Sequence, residues 1–249
     1  MIKKLTLISM TLSAVLFAAI GQQPSTFSAS SMQNQMEQTV EQKRITTKKD
    51  LNEFIATLES AYNAGDKSKG YLLGGIYSQE HTLDDGVVSA NIPIAVRYFQ
   101  ETLKAGYGLS AWHIVMLDLL PKKEFFKAVD LLESGLKSKF VDESGRITLA
   151  LTLGTIVLEN LNENPSVIRR ARDIIYPYAT HNNLASLDFV LANLLNLNNE
   201  LSDANKFLNS ACNNPEAPKE ILNACMGGSE IVTSDNAGKV IKKDLSTCK

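Results

Sequence analysis

From Leu51 onward the chain sets apolar stripes at helical spacing between short polar breaks, and the stripes come in pairs. Leu51 to Tyr62 is amphipathic and ends at Gly65, which fits a lone helix covering one end of a stack. Between Gly70 and Tyr77 bulky groups fall at 73, 76 and 77, an i, i+3, i+4 stripe with the small Gly74 beside it, the mark of a helix that admits one close neighbour. A polar loop ending at Gly86-Val87 follows. Pro93 then opens a second helix near its first turn, where a missing N–H costs little, and Gly106 closes it. Two short amphipathic helices joined in this way cannot bury all their apolar surface within the pair, so more hairpins must stack alongside.

An alanine followed three and four residues later by bulky groups recurs down the chain. Ala95 has Tyr98 and Phe99, Ala128 has Leu131 and Leu132, Ala171 has Ile174 and Ile175, Ala204 has Phe207 and Leu208, and Ala237 has Val240 and Ile241. The gaps from Ala95 are 33, 43, 33 and 33 residues, inside the range where helical repeats recur. Candidate first helices lie between these second helices: Leu109 to Leu120, Gly145 to Glu159, Leu184 to Leu197 and Pro218 to Cys225. Leu153-Gly154 repeats the Leu73-Gly74 element, and Leu191-Ala192 is a softened copy. Pro121 and Asn164-Pro165 stand where second helices should begin, Asn164 as the N-cap of an N1 proline. Pro177 falls late in its helix and should bend or end it.

These residues resemble the Sel-one-like repeat, a relative of the tetratricopeptide repeat. The shared marks are Leu73, Gly74 and Tyr77 on the first helix, and Ala95, Tyr98, Phe99 and Gly106 on the second, with Asn91 where the family usually has Asp and a longer loop before it. The match is good over this one repeat, and the remaining units rest on internal periodicity. The resemblance implies an all-α fold, a right-handed α-solenoid of about five antiparallel helix hairpins. It also implies that the first helices line a concave surface that meets another protein. By register, the partner-binding positions are Tyr71, His113, Thr155 and Asn193, with Ser78 and Asn196 a helical turn or two further along. Such a mixed polar and aromatic row suits a protein segment, and ordinary surface residues are the alternative. Trp112, the single tryptophan, is expected between hairpins.

The amino terminus changes the setting. Met1-Ile2-Lys3-Lys4 is basic and Leu5 to Ile20 apolar, the pattern of a secretory signal peptide over residues 1–21, with cleavage after Gly21 or after Ser30. An uncleaved membrane anchor is disfavoured because the apolar run is short and carries hydroxyls. No cysteine precedes Cys212, which excludes a lipoprotein anchor. Residues 22–48 are rich in Gln, Ser, Thr and Met without apolar period and read as a flexible linker, leaving 49–249 for the solenoid domain. The expected location is the periplasm or the exterior, with no stable membrane insertion after cleavage. A formal charge of −2 and a pI near 6.0 argue against nucleic acid and against a polybasic membrane-surface protein.

Cys212, Cys225 and Cys248 sit near the carboxyl end, and cysteines of an exported protein tend to pair. Cys212, eight residues after Ala204, resembles the first bridge cysteine of the cysteine-rich Sel-one-like proteins, although the next cysteine comes later than in that pattern. Cys212 with Cys225 is the favoured pair and Cys212 with Cys248 the alternative. Candidate chemistry is otherwise sparse. The histidines at 81, 113 and 181 fall on different elements, and Glu80-His81 with Asp84-Asp85 lacks the alternating oxygen ligands of a calcium loop. No nucleophile stands beside a base at a familiar spacing. Arg169, Arg170 and Arg172, with Lys122, Lys123 and Lys127, read as a wet outer face rather than an anion site.

No cofactor and no metal are expected. The reading is an exported non-catalytic repeat scaffold for protein–protein interaction in the bacterial envelope. Family analogy offers one alternative, an immunity protein neutralising a secreted antibacterial toxin, and a second from another class, a cell-envelope hydrolase or penicillin-binding enzyme.

Overall fold

The computed structural model describes residues 45–182, 184–226, 231–234 and 240–243. The expected leader at 1–21 with both cleavage positions, Ala237 and Cys248 lie outside them, as does the linker up to residue 44. The described part is mostly helical, with ten α-helices and two small antiparallel strand pairs. None of the described helices is long and apolar enough to cross a membrane. The chain divides into two compact units at Leu149 and Ala150.

The first unit opens on α1 (Lys48–Asn63), which buries Leu51, Phe54, Leu58 and Tyr62, one apolar residue per turn. Its start is fixed by side chains. Thr47 and Asp50 form a reciprocal capping box, and the Asp85 carboxylate accepts from the Lys48 N–H at 2.9 and 3.0 Å. Ile45 already packs on the core and the Thr46 carbonyl accepts from the Asp84 N–H, so residues 45–48, expected at the end of the linker, belong to the packed unit. α2 (Ser68–Tyr77) follows, then strands β1 (His81–Leu83) and β2 (Gly86–Val88), α3 (Ile92–Lys104), α4 (Ser110–Ile114) with a π-helical turn over Val115–Leu119, and α5 (Phe125–Leu136). α6 (Glu143–Asn160) contains the division between the units.

The second unit continues with α7 (Pro165–Asn182), α8 (Ala185–Leu197), α9 (Leu201–Asn213), α10 (Lys219–Met226), β3 (Ile231–Ser234) and β4 (Val240–Lys243). In the first unit α1 packs on α2, α2 on α3, α3 on α4 and α4 on α5. In the second, α7 packs on α8, and α8, α9 and α10 pack on one another.

Neighbouring helices are joined by one recurring device. After α1, α3, the π-turn and α8, a residue with positive φ closes the helix: Gly65, Gly106, Lys123 and Asn199. At each, its own N–H and the next one reach back to successive carbonyls of the last turn, as from Gly106 to Leu103 and from Tyr107 to Thr102. Glycine takes this conformation without steric cost at 65 and 106. Lys123 and Asn199 do the same work with a side chain attached.

The close neighbour announced by Gly74 is Phe99, which is fully buried: a Cβ on Gly74 would stand 2.8 Å from two of its ring carbons. The second Leu-Gly element behaves alike. A Cβ on Gly154 would stand 2.5 Å from Ile175 and from Val190. Phe99 and Ile175 each lie four residues after a repeating alanine, Ala95 and Ala171, and both alanines are fully buried. The same glycine-under-side-chain contact is therefore built once in each unit.

Several expectations are corrected. The loop before α3 contains a two-stranded hairpin, His81 opposite Val88 and Leu83 opposite Gly86, turned at Asp84-Asp85. Leu109 to Leu120 is not one α-helix but α4 followed by the π-turn. Pro121 falls in the closing turn of that helix, not at the head of the next; α5 starts at Phe125 because Lys123 first reverses the chain. Of the bend or end expected at Pro177, the end is not found: α7 runs on to Asn182, with the Thr180 hydroxyl donating to the carbonyls of Tyr176 and Pro177. Val240 and Ile241, expected on a fifth second helix, belong to β4, paired with β3. Asn164-Pro165 does open α7 as expected, the Asn164 side chain accepting from the Val167 N–H at 3.3 Å.

Candidate functional site

In the first unit two of the expected contact residues meet. Tyr71 on α2 and His113 on α4 are hydrogen-bonded, Oη to Nε2, at 2.7 Å. The His113 ring lies parallel to Phe99, 4.3 Å between centroids, and Trp112 stands edge-on to it at 5.0 Å. Tyr71 also meets Phe99 edge-on. All three polar-aromatic residues are half-buried. Burial pushes the Tyr71 phenol above its ordinary range, with Asp142 adding to the effect, and burial drives the His113 imidazole down to about 4, so it is neutral at pH 7. Both chains satisfy each other, and the pair ties α2 to α4. The Trp112 indole N–H is buried without a partner.

The other expected positions are dispersed. Ser78 caps α2 and spends its hydroxyl on the Gly75 carbonyl at 2.7 Å. In the second unit Asn193 and Asn196 share one side of α8, both half-buried, with the Asn193 amide donating to the Phe189 carbonyl at 2.7 Å. Thr155 is buried, because α6 is covered all round from Leu149 to Leu158 and leaves no outer side at that position. It is not offered to a partner.

The sequence reading missed two polar constructions. On the first unit α1 and α3 exchange tyrosine and glutamate: Tyr62 donates to Glu101, and Tyr98 donates to Glu59 at 3.0 Å. Burial and then the neighbouring carboxylates push both phenols up to about 12, and Tyr77 stacks on Tyr98. The signal available was a Tyr and a Glu three residues apart on each helix, in opposite order. On the second unit Asp188 of α8 is only 2% exposed and accepts from the Ser210 hydroxyl of α9 at 2.5 Å. Burial raises its pKa above the ordinary carboxylate value and the Ser210 bond only partly opposes this.

A raised acid favours the folded state at low pH and costs stability as pH climbs through the raised value. Asp188→Asn keeps an oxygen for Ser210 and removes the buried charge. It should raise folding stability at pH 7 by on the order of 1 kcal/mol, with the gain disappearing in acid, as read by urea midpoints at both pH values.

Other candidates are spoken for. Asp85 caps α1, and the His81 ring is hydrogen-bonded to the Ile76 carbonyl at 2.8 Å. Among the described residues no three His, Cys, Asp or Glu gather as metal ligands would. In the basic edge Arg172 pairs with Asp173 and Glu200, Lys122 with Asp118, and Lys127 with Glu124. The Cys212–Cys225 disulfide is formed, joining α9 to α10 with Cα atoms 5.8 Å apart. Comparison with known protein families, with curated proteins and with solved structures finds no match.

Proposed function

We propose that the protein is an exported, non-catalytic helical-repeat scaffold of the Sel-one-like kind, whose first helices present a surface to another protein in the bacterial envelope. One observation carries this reading. The Leu-Gly helix packs its glycine under the fourth residue after the alanine of the following helix, and it does so at Gly74 with Phe99 and again at Gly154 with Ile175. A chain folded round a single closed centre has no need to repeat one contact at matching positions of separate units. The bond between Tyr71 and His113, 42 residues apart on two successive first helices, is what side-by-side first helices of a stack make. Stacked hairpins supply area for a partner without a deep pocket.

Because Tyr71 and His113 hold each other, replacing both with alanine would loosen the fold as well as any contact surface. The half-buried positions that bear less packing are better probes. A photo-crosslinker placed singly at Ser78, Asn193 and Asn196 is expected to capture one common envelope protein, whereas the same group at exposed Lys127 or Asp173 captures none. Equal capture at both sets, or capture only at Lys127 and Asp173, contradicts the assignment of the binding side.

A further inference from the structure

The sequence reads Lys122, Lys123 and Lys127 as part of a wet outer face, and the structure sets an aromatic ring among them. They stand at the tip where the π-turn reverses into α5. Phe126, on the first turn of α5, is 53% exposed, more than any other large apolar residue among the described ones. Pro121 is exposed beside it, and Leu120 and Phe125 are half-buried. The carboxylates of this tip are less exposed than its cations: the Lys122 and Lys127 side chains are 58% and 71% exposed, their partners Asp118 and Glu124 27% and 34%. Exposed pairs of this kind hold weakly, so both lysines can turn to other anions. No carboxylate among the described residues pairs with Lys123.

Lys123 closes the turn with a φ of 58°. The other closures use Gly65, Gly106 and Asn199, residue types that enter the left-handed region readily, whereas a lysine enters it at a cost. Its backbone is poorly suited to the turn, so its side chain is what the position keeps.

We infer that this tip docks on an anionic lipid surface, the lysines meeting headgroup phosphates and the Phe126 ring entering the interface. A projecting tip offers no groove for a protein segment, whereas lipid moulds round a ring and long lysine stems reach the headgroups above it. The charge of −2 over the whole chain does not oppose the approach. At physiological salt, charges more than about 8 Å from a headgroup are largely screened. Residues 118–127 themselves carry three lysines against two carboxylates. The inference goes beyond partner binding and does not depend on it.

Protein purified as the cell processes it should sediment with vesicles of phosphatidylglycerol mixed with phosphatidylcholine far more than with phosphatidylcholine alone, the difference disappearing at about 0.5 M salt. Lys123→Gly should weaken binding about fivefold while its urea midpoint holds or rises, since glycine suits the turn. Phe126→Ala should weaken it about tenfold, again without loss of stability. Lys49→Gln, which removes the same charge from an exposed site on α1, should bind as the parent does. Equal sedimentation on both lipids, binding that Lys123→Gly and Phe126→Ala leave unchanged, or an equal loss in Lys49→Gln overturns the inference.

Discussion

Phe99→Ala is expected to lower the stability of the first unit by about 3–5 kcal/mol, the cost of removing a fully buried ring from a core that cannot collapse around the gap. Phe99 fills the space above Gly74, stacks on His113 and meets Tyr71, so its loss removes contacts from three helices together. Phe126→Ala is the control: its ring is 53% exposed, and the change should stay within about 0.5 kcal/mol.

The reverse substitution tests the same contact from the other side. Gly74→Ala adds a good helix former, worth about 1 kcal/mol by propensity alone, yet its methyl meets the ring at 2.8 Å. Net destabilisation of about 1–3 kcal/mol is expected. Combining it with Phe99→Leu should give less than the sum of the two single losses, a coupling readable from urea denaturation of all four proteins.

Breaking the Cys212–Cys225 bridge, by reduction or by Cys212→Ser with Cys225→Ser, should cost the second unit on the order of 3 kcal/mol in the chain-entropy account. The reason for so local a dependence is the length of α10. Eight residues are too few to hold a helix by their own hydrogen bonds, and α10 is anchored otherwise by the fully buried Ile221. Reduction should therefore speed hydrogen exchange at 219–226 first and leave α2 and α3 unaffected. A uniform loss of protection across both units would show that the bridge does more than hold α10.

What was legible in the sequence is what rests on local spacing. The stripe at Leu73, Ile76 and Tyr77, the stops at Gly65 and Gly106 and the Asn164-Pro165 start are each decided within one or two turns of chain, and the structure has them; of the two cysteine pairings left open, it has the favoured Cys212–Cys225. The turns at Lys123 and Asn199 were not legible, because residues other than glycine enter the left-handed region only when their surroundings impose it. Val240 and Ile241 were read as helix on a spacing that a short strand satisfies equally well, since two apolar neighbours fix neither period.

The candidate site shows the same limit more sharply. Register placed Tyr71 and His113 on corresponding first helices, and they touch. It placed Thr155 there too, but register tells inside from outside only on a helix with one apolar side, and α6 is covered all round. Asp188 escaped for a related reason: it lies in the apolar run of α8, where a single carboxylate looks like the one wet residue until Ser210 is seen to reach it.

The central claim is that hairpins are stacked as repeats, each stabilised chiefly by its neighbours. Native-state hydrogen exchange across a urea series measures this directly, helix by helix. Repeats should open in hairpin-sized groups with distinct free energies and distinct urea dependences, α2 with α3 as one group and α8 with α9 as another. A single opening free energy shared by every protected amide, with one urea dependence, would mean a closed cooperative core and would contradict the account.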